Sequence, residues 1–108
     1  MASELPEIVA KYYAVEASSD YAALAQCFAE TGWVGDEGRS HSGRAAIAQW
    51  MAEVKDKFHH ETEPALVGIR NGKVVVSARV TGRFSGSPIT LDQAFEIASG
   101  QILSLEIG

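Results

Sequence analysis

Cysteine, basic charge and long apolar runs are all scarce in this chain, and each scarcity excludes something. The single cysteine, Cys27, permits no internal disulfide, and its place among apolar helix positions reads as a buried structural thiol. Nine Lys and Arg against fourteen Asp and Glu give a net charge of -5. The basic residues are scattered, so neither nucleic acid nor an acidic membrane is an expected partner. No apolar run approaches the length of a membrane span, and the opening Met-Ala-Ser-Glu-Leu-Pro-Glu has no signal-peptide pattern. A cytoplasmic location follows as the expectation. What remains is ordinary globular composition, 46% hydrophobic and 21% charged over 108 residues, which suits one domain over residues 1–108 with one core.

Periodicity divides the chain into a helical half and an alternating half. Ser3 as N-cap, with Glu4 and Glu7 in the first turn, opens a helix whose inner stripe is Leu5, Ile8, Val9, Tyr12 and Val15. Tyr12 points inward and Tyr13 lies at the edge. Asp20 caps a second helix from Tyr21 to about Glu30, with Leu24, Cys27 and Phe28 inside. After a short strand at Trp33 and Val34, a third helix spans Arg44 to Phe58. Its charged residues Glu53, Lys55, Asp56 and Lys57 read as a solvated face. From His59 onward the period is two. His59 to Leu66 makes a strand bent at Pro64, Asn71-Gly72 a hairpin turn, and Val74, Val76, Ala78 and Val80 one buried face. Gly86-Ser87-Pro88 and Ser99-Gly100 turn the chain again, with Leu91, Phe95 and Ile97 inward between them. Helices segregated from an antiparallel meander describe an α+β domain. A curved sheet wrapped as a cone around three N-terminal helices leaves a small-molecule cavity at its open end.

The stretch from Trp33 to Ile47 carries the main chemical candidate. Asp36 leaves an apolar strand beside a polar loop, where it either starts a turn or faces a pocket. In a pocket, burial would raise its pKa toward the range of a general base. His41 reads as exposed. Of His59 and His60 one should point inward, and neighbours on a strand cannot readily grip one ion, so no metal site is expected. No cofactor is expected either.

The order of these pieces resembles the nuclear transport factor 2-like superfamily, in its ketosteroid isomerase and SnoaL-like polyketide cyclase branches. The resemblance rests on Tyr12-Tyr13 with Asp20, on Leu24 with Cys27 to Glu30, and on Val34-Gly35-Asp36. It continues through Gly43 to Ile47 and Phe95 to Ile102. It implies the cystatin-like cone, a homodimer through the sheet, Asp36 as proton shuttle and Tyr12 as donor to a developing oxyanion. The second donor is Asp92 by ungapped position or Gln93 by strand parity, since Gln93 shares a face with Phe95 and Ile97. A bulge would favour Asp92. Trp33, Trp50, Phe58, His60, Phe84 and Phe95 are the expected ligand-binding side chains. The ligand would be a small hydrophobic or carbonyl-bearing molecule.

Three functions suit this reading. One is an acid-base isomerase, dehydratase or cyclase. The second is a binding protein without turnover, and the third a homodimeric interaction domain with a vestigial cavity.

Overall fold

Pairing with a distant strand decides where the second helix of this chain stops. The computed structural model describes residues 5–108. It contains α1 (Glu7–Ser18), α2 (Tyr21–Gln26), β1 (Phe28–Asp36), β2 (Arg39–Ser42), α3 (Arg44–Phe58), β3 (Glu61–Arg70), β4 (Lys73–Thr81), β5 (Ile89–Ala98) and β6 (Gln101–Ile107). The six strands form one curved, unclosed sheet in the order β2-β1-β6-β5-β4-β3. Neighbours are antiparallel except β1 and β6, which run parallel. The α+β class is as expected.

The helices differ from expectation in two places. Ser3 and Glu4 lie outside the described residues, and α1 starts after Pro6, with no side-chain cap. Asp20 caps α2 by accepting a hydrogen bond from the Ala23 N–H at 3.0 Å. That helix ends at Gln26 and does not reach Glu30. The Cys27 carbonyl instead accepts from the Ile102 N–H at 2.9 Å, and Phe28 pairs with Ile102. Pairing with β6 outweighs the local helical pattern, and the expected short strand at Trp33 and Val34 becomes the second half of β1. The third helix keeps its expected bounds.

Glu37-Gly38 is a hairpin turn that the sequence concealed. Both residues have positive φ, 53° and 75°, like Asn71-Gly72 and Ser99-Gly100. Such turns match the strand twist, and they favour glycine because a left-handed backbone crowds a side chain. Asp36 therefore pairs with Arg39, so the presumed loop is β2. Pro64 lies in the edge strand β3 beside a register shift, where its missing N–H is tolerated.

The core joins Val9 and Tyr12 of α1, Leu24 of α2 and Ile47 and Met51 of α3 to Phe28, Val34, Val76, Phe95, Ile102 and Leu105 of the sheet. Tyr12 and Tyr13 both meet Phe95 edge-on, with ring centroids 5.5 and 5.9 Å away. Tyr13 is thus buried and not at the edge. Beyond this core, between α1, α3 and the inner faces of β4 and β5, lies a cavity of about 510 Å³.

Gly82 fits the end of α3 against the strand that follows it. A Cβ there would stand 2.8 Å from the Phe58 carbonyl oxygen and 3.0 Å from the His60 Cα. Both are backbone atoms, which cannot rotate away. Gly82→Ala should therefore cost about 1–3 kcal/mol by overpacking, read as a lower urea midpoint at an unchanged slope.

Candidate functional site

Side-chain alternation along β5 decides which polar groups meet the cavity. Gln93 pairs with Val76 of β4 and Ile107 of β6, both inward, whereas Asp92 pairs with Ser77. Gln93 is buried and lines the cavity. Asp92 lies on the outer face, where its carboxylate accepts from the Ser77 hydroxyl at 3.2 Å and stands 3.7 Å from Arg70. The register shift of β5 falls later, at Glu96/Ile97, so no bulge turns Asp92 inward. Between the two alternatives, Gln93 is the residue that faces the cavity.

Asp36 ends β1 on the same face as Val34 and is half-buried at the cavity wall. Its Oδ2 accepts a hydrogen bond from the Trp50 indole N–H at 3.1 Å. It is at once the first residue of the hairpin turn and a cavity residue. The indole holds one carboxylate oxygen and leaves Oδ1 for a ligand. Glu37, in the turn, sits exposed at the rim.

Tyr12 reaches the cavity from α1. Burial foremost, then the neighbouring Glu16, Tyr13, Asp36 and Cys27, push its hydroxyl well above the usual tyrosine range. It stays a neutral O–H donor. Tyr13, one residue on, donates its hydroxyl to the Gln93 Oε1. Burial, followed by Glu16, raises its pKa as well.

A second polar cluster escaped the sequence reading. Glu16 is only 3% exposed, although charged. It accepts from the Thr62 hydroxyl at 2.8 Å and lies 3.3 Å from His60 Nε2 and 3.5 Å from Lys55 Nζ. Burial alone would raise its pKa. The His60 hydrogen bond, Lys55 and Thr62 together outweigh that and hold it below the ordinary value. Lys55 also donates to the His60 carbonyl at 2.8 Å, so it is no solvated residue. The signal was there: Glu16 follows Val9 and Tyr12 at helical spacing, on the buried stripe.

Of the expected ligand-binding residues, Trp50, Phe58, His60 and Phe84 line the cavity. Phe58 and Phe84 meet edge-on at 5.8 Å. Trp33 does not line it. It has the opposite parity to Val34 and Asp36, and its ring lies 3.2 Å from where a Gly35 Cβ would stand. Phe95 does not line it either, being consumed in the core beneath Tyr12 and Tyr13. His60 is the inward histidine of its pair; it follows the left-handed cap at His59 and lines the cavity with Thr62, two residues on. His41 is half-buried, its ring 6.0 Å from that of Trp50. Among the described residues, no three His, Cys, Asp or Glu side chains are grouped to hold a metal ion, and no helix is long and apolar enough to cross a membrane.

The SnoaL-like domain family matches residues 9–104. The chain belongs to that family. A candidate polyketide cyclase from Sinorhizobium meliloti is 38% identical, with a TM-score of 0.95 over 100% of this chain and 99% of that one. A protein of ketosteroid isomerase-like fold from Catenulispora acidiphila, solved with trimethylamine, is 22% identical, with a TM-score of 0.82 over 95% and 85% of the two chains. An NTF2-like protein of unknown function from Cytophaga hutchinsonii is 13% identical, with a TM-score of 0.76 over 94% and 86%. The last two share the fold alone. No curated protein matches the chain.

The buried Glu16 cluster carries a pH dependence whose sign is fixed. A carboxyl whose folded pKa is depressed stabilises the fold above its unfolded value, here the ordinary 4.5, and loses that contribution as pH falls through the folded value. Melting temperature should therefore drop on acidification below that point, and Glu16→Gln should flatten the drop. At neutral pH Glu16→Ala should cost about 3–5 kcal/mol, because it strands buried partners. Thermal unfolding across pH measures the first effect and denaturant unfolding at neutral pH the second.

Proposed function

We propose that this protein is an acid-base enzyme acting beside the carbonyl of a small uncharged ligand, with Asp36 as the base. The observation that supports this most directly is the shared cavity, lined by Asp36, Tyr12 and Gln93 among apolar side chains. In the reaction, Asp36 Oδ1 takes a proton from the carbon next to the carbonyl. The C–H electron pair becomes a carbon–carbon double bond and the carbonyl π pair moves to oxygen, where the Tyr12 hydroxyl and the Gln93 amide stabilise the charge. The proton returns to the same or another carbon, which gives exchange or isomerisation. Loss of water or ring closure would follow from the same enolate.

The cavity wall also argues for the charge of the ligand. It carries the carboxyl groups of Glu16, Asp36 and Glu37, and no lysine or arginine among the described lining residues. Lys55 offsets the charge of Glu16, so an anionic ligand would meet repulsion chiefly from Asp36 and Glu37, with no lining lysine or arginine to bind it. A probe such as 1-tetralone should accordingly bind better than a carboxylic acid of similar shape.

The test is deuterium exchange at the carbon beside the carbonyl of 1-tetralone, followed by NMR. Wild-type protein should accelerate it, and Asp36→Asn should lower the acceleration about 100-fold or more, the usual worth of a general base. Tyr12→Phe should cost about tenfold, as one donor among several. Binding without exchange would support the alternative of a carrier, and unimpaired exchange in Asp36→Asn would remove Asp36 from the mechanism. A homodimer through the sheet is part of the proposal. Leu66, 69% exposed on edge strand β3, suits such a contact. Light scattering should give twice the monomer mass, and Leu66→Glu should reduce it.

A further inference from the structure

We propose that Tyr13 is a positioning residue that fixes the polarity of the cavity wall, turning the Gln93 N–H groups, and not its carbonyl, toward the ligand. An amide side chain is ambivalent, since either end suits either role and the two look alike in outline. What surrounds it decides. The Tyr13 hydroxyl is buried between α1 and β5 and does not line the cavity, and its hydrogen needs an acceptor. Among the described residues the acceptor it finds is Gln93 Oε1. Turning the amide over would let Nε2 donate to the Tyr13 oxygen. It would also leave the hydroxyl hydrogen without a partner, a penalty that buried donors rarely bear.

The consequence reaches the ligand. With Oε1 turned toward Tyr13, the groups that Gln93 presents on the cavity side are its two N–H donors. Tyr12, held protonated, adds an O–H donor from the adjacent position of α1. Consecutive residues of one helix thus do different work: Tyr12 donates to the ligand directly, and Tyr13 acts through Gln93. Against this wall the ligand must present an acceptor, a carbonyl or enolate oxygen. Asp36, which can only accept while ionised, faces the same cavity from β1. A ligand bearing a group without an acceptor, such as an ammonium, toward β5 is disfavoured. This inference deepens the function proposed above and rests on it only for the role of the ligand oxygen.

Two NMR measurements on 15N-labelled protein test it, with Gln93→Leu used to assign the Gln93 side-chain amide signals. In the ligand-free wild type, cross-relaxation from those amide protons should be strongest to the cavity-lining protons of Leu91 and Ile107. A pattern dominated by the Tyr13 ring overturns the inference. On addition of 1-tetralone the Gln93 amide signals should move, and in Tyr13→Phe the movement at saturation should fall by about half or more, because the amide is then free to turn. Equal movement in Tyr13→Phe and wild type also overturns it. If 1-tetralone binds and moves these signals but undergoes no exchange, the enzyme reading fails and this one stands. If 1-tetralone does not bind, the carbonyl-ligand reading fails, while the ligand-free cross-relaxation still decides the orientation of Gln93.

Discussion

The site depends above all on the register of β5 between β4 and β6. Strand side chains alternate without exception between bulges, so one pairing fixes the orientation of every residue along the strand. With Gln93 opposite Val76 and Ile107, a neutral amide faces the hollow and Asp92 faces outward. With Phe95 opposite Leu105, an aromatic ring supports Tyr12 and Tyr13 from below. A slip of one residue would exchange all of this at once. The amide would leave the cavity, a carboxylate would enter it, and the core would lose its central ring.

Around that strand the helices contribute through a few polar ties and not through packing alone. Trp50 of α3 holds Asp36 of β1, Tyr13 of α1 holds Gln93 of β5, and Thr62 of β3 holds Glu16 of α1. Each tie joins a helix to a strand and ends at a residue of the cavity wall. Buried polar groups left unpaired are costly, so such ties restrict orientation as well as adding stability. The cavity is shaped by apolar residues and its polarity is set by these three contacts.

Much of this was legible in the sequence. The helical stripe of α1, the bounds of α3, the Asn71-Gly72 hairpin and the alternation of β4 all follow from local pattern. Tyr12 was identifiable as an inward group, and Asp36 and Gln93 each as one of two alternatives. The failures have a common cause. Phe28 to Glu30 looks helical by itself and lies in a strand that is anchored on β6. Glu37 is an unusual residue for a left-handed turn. Trp33 and Asp92 were misplaced or left open because face depends on register, which a lone sequence does not display. Lys55 read as a surface charge and Glu16 went unnoticed because their partners lie on other elements, Thr62 being 46 positions from Glu16.

Membership of the SnoaL-like family establishes the frame and leaves the chemistry to the side chains. The central claim is that one hollow offers a base on one wall and hydrogen-bond donors on another, spaced by a single small ligand. A crystal structure with 1-tetralone bound tests it most directly. The account predicts the carbonyl oxygen within hydrogen-bond distance of both the Tyr12 hydroxyl and Gln93 Nε2, with the adjacent carbon turned toward Asp36. Density for the ketone outside the hollow, or a carbonyl directed at Asp36, would contradict it.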